Sequence, residues 1–76
     1  MPYGGERALH DYTFEAYTAG AVAMSAALYS SQGHLVASAS QAGNTVTISA
    51  AGQNKGVYIL RISDGKQTHA QKVVVR

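Results

Sequence analysis

Gly56-Val57-Tyr58-Ile59-Leu60-Arg61-Ile62, then Ser63-Asp64-Gly65, then a run closing on Lys72-Val73-Val74-Val75-Arg76, decides the fold class of this chain. Two stretches dense in β-branched and aromatic residues, separated by an Asp-Gly pair, read as a β-hairpin. A type I′ turn is the expectation at Asp64-Gly65, because that turn needs positive φ at both central residues, which Asp tolerates and Gly adopts freely. In the first stretch Tyr58, Leu60 and Ile62 share one face, and Val57, Ile59 and Arg61 the other. Its first half is apolar on both faces, which predicts a central strand covered on both sides. The sequence is expected to close on a strand, with no tail after Arg76.

Upstream, glycines at 20, 33, 43, 52 and 56 break the apolar runs, a spacing that suits short strands with tight connections. From Val22 to Ser30 a period of two places Val22, Met24, Ala26 and Leu28 on one face. Leu35 to Ala39 follows a Ser31-Gln32-Gly33 turn. Asn44 to Ala50 puts Val46, Ile48 and Ala50 inward and Thr45, Thr47 and Ser49 toward solvent. Leu9 to Tyr17 reads as one further strand, with His10, Tyr12, Phe14 and Ala16 facing in. Helix signals are scarce. Strands with one buried face each are satisfied most economically by two packed sheets. The expected fold is all-β, a small immunoglobulin-like antiparallel β-sandwich of six to seven strands. Residues 1–76 form a single domain in this reading, with 1–7 as linker or disordered lead.

A chain of 76 residues buries only roughly 60–65% of its unfolded surface, so the core is thin. With no cysteine there is neither a disulfide framework nor a thiolate metal site. The net charge of +2 comes from dispersed Lys and Arg residues, too weak and scattered for a nucleic-acid footprint. Met1-Pro2-Tyr3-Gly4-Gly5 lacks the basic and apolar regions of a signal peptide, and no apolar run nears the ~20 residues of a membrane span. The chain therefore reads as soluble as it stands.

Catalytic patterns are missing from the sequence. His10, His34 and His69 fall on different segments without zinc-type spacing, so they read as exposed side chains and not as ligands. Asp64 is committed to a turn, Glu6 lies near the start, and Asp11 and Glu15 share a solvated strand face. No Gly-x-Ser-x-Gly elbow and no phosphate-cradling loop occurs. No enzyme activity, cofactor or metal is expected. Tyr12, Phe14, Tyr29 and Tyr58 occupy alternating strand positions and read as core aromatics rather than a ligand platform.

Three blocks taken together carry a resemblance: Ala27-Leu28-Tyr29-Ser30-Ser31-Gln32-Gly33-His34-Leu35-Val36, Asn54-Lys55-Gly56-Val57-Tyr58-Ile59-Leu60-Arg61-Ile62, and Lys72-Val73-Val74-Val75-Arg76. In this order, with the last block at the end of the sequence, they resemble the type A C-terminal sorting domain of the type IX secretion system of Bacteroidota. The resemblance runs from Leu28 onward. Leu28, Tyr29, Gly33, Val36, Gly56, Val57 and Tyr58 match the family's turn and core motif. The sequence departs from it at Ser30, where an acidic residue or Asn is usual, and at His34, where Arg or Lys is usual.

The resemblance implies a non-catalytic sorting signal that directs a larger cargo protein through the type IX system. It implies recognition by the outer-membrane translocon and its β-barrel shuttle protein, then removal by a sortase-like cysteine peptidase at the cell surface. The implied route is export, with passage through the periplasm to the outer membrane, cell surface or medium. No nucleic-acid partner and no direct insertion into the membrane are expected. Lys72, Val73, Val74, Val75 and Arg76 are the candidate translocon-recognition residues: an edge strand can accept an added strand, with Lys72, Arg76 and the terminal carboxylate setting register. Val73 and Val75 equally fit a core role. Gly33 and Gly56 read as turn residues, and Tyr58 as core. The competing class is a small β-sandwich binding module for carbohydrate or protein, appended to a secreted protein and gripping through loops Ala39–Asn44 and Ala51–Lys55. Those loops hold no aromatic residue. A fibre or adhesion repeat would show internal periodicity, and none is visible.

Overall fold

The computed structural model describes residues 3–10 and 12–76. Seven strands follow one another: β1 (Tyr3–His10), β2 (Thr13–Thr18), β3 (Ala23–Ser30), β4 (Leu35–Ala42), β5 (Thr45–Ser49), β6 (Gly56–Ser63) and β7 (Thr68–Val75). They form a three-stranded sheet ordered β1-β2-β5 and a four-stranded sheet ordered β4-β3-β6-β7, every pair antiparallel. The expected sandwich is the fold observed.

The core lies between the sheets and follows the period-two pattern. Phe14 and Ala16 from β2, Val46 and Ile48 from β5, Met24, Ala26 and Leu28 from β3, Tyr58, Leu60 and Ile62 from β6, and Val73 and Val75 from β7 are all buried. Leu28 and Leu60 are directly opposite each other in the β3–β6 ladder and fully buried. Burying an aliphatic side chain of this size contributes about 1.5–3 kcal/mol.

Five expectations need correction. The lead expected over 1–7 is strand from Tyr3 onward, paired with β2. Leu9 to Tyr17 is not one strand: the backbone turns near Tyr12, which is 42% exposed, and the two sides pair as the β1–β2 hairpin. Among its proposed inward residues only Phe14 and Ala16 are buried; Leu9, His10 and Asp11 lie outside the described side chains. Val22 precedes β3 and is exposed, because the chain bends there, with its carbonyl accepting the Gly43 N–H. β6 is central in its sheet, but only one of its faces is covered: Val57 is exposed and Ile59 half-buried. The supposed loop from Ala39 belongs to β4 as far as Ala42, leaving only Gly43-Asn44 to cross to β5.

Register fixes the two ends of the sandwich. Tyr3 of β1 pairs with Thr18, and Ser63 of β6 with Thr68, at the end that also holds Gly43-Asn44. At the opposite end Gly56 pairs with Val75. The start of β1 and the finish of β7 are thus at opposite ends.

Candidate recognition strand

Among the described residues β7 is an edge strand, paired with β6. From Lys72 onward the side chains alternate between the two faces. Val73 and Val75 point inward at 8% and 3% exposure, opposite Tyr58 and Gly56, whereas Lys72, Val74 and Arg76 are exposed. The inner valines tie the strand to the core. Among the described residues the other edge of β7 has no neighbouring strand, and an unpaired strand edge offers N–H and C=O groups to an added strand.

The β6–β7 connection is built on Asp64, though not as a type I′ turn. Four residues, 64–67, separate the strands, and no non-glycine residue described has positive φ; only Gly65, at φ 92°, takes the left-handed conformation there. The Asp64 carboxylate accepts the Gln67 N–H at 2.8 Å and the Lys66 N–H at 2.9 Å. Asp thus acts through its side chain, as an Asx-type turn, instead of through its backbone. Those bonds hold the carboxyl below its ordinary pKa of 3.8, the Gln67 N–H contributing most and the Lys66 N–H next, because they favour the ionised form.

The β3–β4 turn is organised the same way. Ser30 Oγ accepts the Gln32 and His34 N–H groups at 3.3 and 3.2 Å, and Gly33 takes φ 88°. Ser30 therefore supplies the acceptor that an acidic residue or Asn would supply after Tyr29. Tyr58 is buried, and its hydroxyl donates to the Asn54 carbonyl at 2.7 Å, fastening the 50–55 connection to β6. Tyr29, by contrast, is half-buried on the outer face of the sheet and not in the core. Val36 is half-buried and packs against the core, and Gly56 opens β6 at φ 149°.

Among the described residues no three His, Cys, Asp or Glu side chains come together, and no helix is long and apolar enough to cross a membrane. His34 is exposed and His69 half-buried.

The model of the secretion system C-terminal sorting domain family matches residues 13–76. The chain belongs to that family. No curated protein and no solved structure matches the chain. The matched span begins at the first residue of β2, well before the Leu28 from which the resemblance runs. The span ahead of the resemblance, 13–27, holds β2 and the first part of β3, whose Phe14-Ala16-Thr18 and Met24-Ala26 inner faces carry too few distinctive residues to single out.

As a type IX sorting domain, the chain is a signal for export across the outer membrane, attached to a cargo and engaging the secretion machinery. Families of such signals are generally non-catalytic. The two-sided apolar pattern of β6 does not mark a strand covered twice; it marks an exposed apolar surface on the outer face.

Proposed function

We propose that residues 1–76 form one non-catalytic domain that labels a larger cargo for type IX export, and that β7 is the element read by the outer-membrane translocon and its β-barrel shuttle. The observation that carries this reading is the position of β7: an open sheet edge with inward valines as anchors and outward Lys72, Val74 and Arg76 as readable groups. Strand addition supplies affinity through the backbone and register through alternate side chains. After transit through the periplasm, a sortase-like cysteine peptidase removes the label at the surface. The free edge needs no chemistry of its own; the domain is ligand and substrate segment for these machines.

The test fuses the domain to a reporter in a host with a working type IX system. Replacing Lys72 and Arg76 together by Gln leaves the buried valines in place, so stability should change by less than about 0.5 kcal/mol. Reporter secretion is expected to fall while the melting temperature stays fixed. Secretion at the parental level with this pair, together with secretion that survives deletion of 72–76, overturns the reading.

A further inference from the structure

The outer face of the four-stranded sheet differs from that of the three-stranded sheet in two respects. First, it carries an apolar band. Leu35, Val57 and Val74 are 57%, 44% and 49% exposed, and the ladders join them through Tyr29 and Ile59: Leu35 opposite Tyr29, Tyr29 opposite Ile59, Val57 opposite Val74. The band crosses all four strands of the sheet and reaches the β7 edge. A depression of about 350 Å³ is set into it between Tyr29, Ile59 and Arg61. Second, none of β3, β4, β6 and β7 contains Asp or Glu. Arg61 and Lys72 are exposed on this face and belong to no ion pair among the described residues. On the three-stranded sheet, by comparison, the outward residues of β2 and β5 are mostly polar, and Glu15 is paired with Arg7 across the ladder at 3.3 Å.

We infer that this band is a second docking surface for the receptor that reads β7, and that the receptor meets it with an aliphatic or aromatic side chain in the Tyr29–Ile59 depression and carboxylates opposite Arg61 and Lys72. The inference rests on the β7 reading, because the band is continuous with that edge. A contiguous exposed apolar surface rimmed by charge is the usual form of a protein-docking site. The charge distribution selects the occupant. A second copy using the same face would meet Arg61 and Lys72 with strands that carry no Asp or Glu, whereas an acidic rim complements them.

The experiment uses the same reporter fusion with Leu35→Thr and Val57→Thr together. Both positions are exposed and lie outside β7, and Thr suits a strand. Reporter secretion should fall about tenfold, with the melting temperature of the purified domain unchanged. Arg61→Glu should reduce secretion more than Arg61→Gln. If deletion of 72–76 abolishes secretion while the Leu35/Val57 pair and both Arg61 variants secrete at the parental level, the docking surface is refuted and the β7 reading stands. Light scattering on the purified domain closes the remaining route: a dimer that becomes monomeric in the Leu35/Val57 variant assigns the face to a second copy and overturns the inference.

Discussion

The side chain of Gln41 in β4 accepts a hydrogen bond from the backbone N–H of Thr47 in β5 at 2.8 Å, joining the edge strands of two different sheets. β5 pairs only with β2, so this amide caps an N–H that would otherwise face outward for strand addition. The side of the sandwich bearing β4 and β5 is partly closed, and the side bearing β7 is open.

Gln41→Ala should therefore cost about 1 kcal/mol, lowering the melting temperature by roughly 4–8 °C in a domain of this size. It should also raise concentration-dependent self-association, read by light scattering. Gln41→Glu retains the acceptor and should lie closer to the parent in both measurements.

Asp64 gives a pH signature. Its folded-state carboxyl is held below the ordinary value of 3.8, so its contribution is fully present above that value and is lost as pH falls through the lower, folded-state pKa. Chemical denaturation of Asp64→Ala should show a deficit against the parent at neutral pH. That deficit should shrink in strong acid, below the ordinary carboxylate range.

Gly33 tests backbone conformation without packing. A Cβ there would meet nothing within 4 Å, yet φ is +88°. Gly33→Ala should cost about 1–2 kcal/mol through the left-handed conformation alone. Gly33→Asn should cost less, and urea midpoints distinguish the two.

The β7 valines should separate by face. Val74→Thr, on the outer face, should shift stability by no more than about 0.5 kcal/mol. On the inner face Val75→Ala, at 3% exposure, should cost about 1.5–3 kcal/mol. Equilibrium denaturation of the two variants checks the division between anchor and surface.

Tyr58→Phe removes the hydroxyl that donates to Asn54 and leaves the ring in the core. The carbonyl loses its partner at a part-buried site, so the expected cost is about 1 kcal/mol. Amide exchange should quicken around residues 51–55.

Alternation made most of the fold legible. Val46, Ile48 and Ala50, and Tyr58, Leu60 and Ile62, face inward as their period of two requires. The β1–β2 turn was hidden because alternation continues across it: Tyr12 keeps phase with Phe14 and Ala16 although the chain reverses beside it. Turn chemistry was half legible. Asp64 marked the connection, but an Asp side chain that accepts two N–H groups and an Asp backbone at positive φ look alike in sequence. The candidate site was least legible, since a strand apolar on both faces does not say whether its second face meets another layer or solvent. Only the sheet order, with β4 and β7 at the edges and nothing packed outside β6, decides that.

β1 starts beside Thr18 and β7 finishes beside Gly56, so if, as proposed, a cargo joins ahead of Tyr3 and a receptor holds β7, the two would pull the domain from opposite ends, along its strands. Ladder hydrogen bonds run across that direction, so a tug loads the rungs of each ladder together in shear and does not peel them away singly. Under the proposed reading, mechanical resistance would follow from where the strands begin and finish.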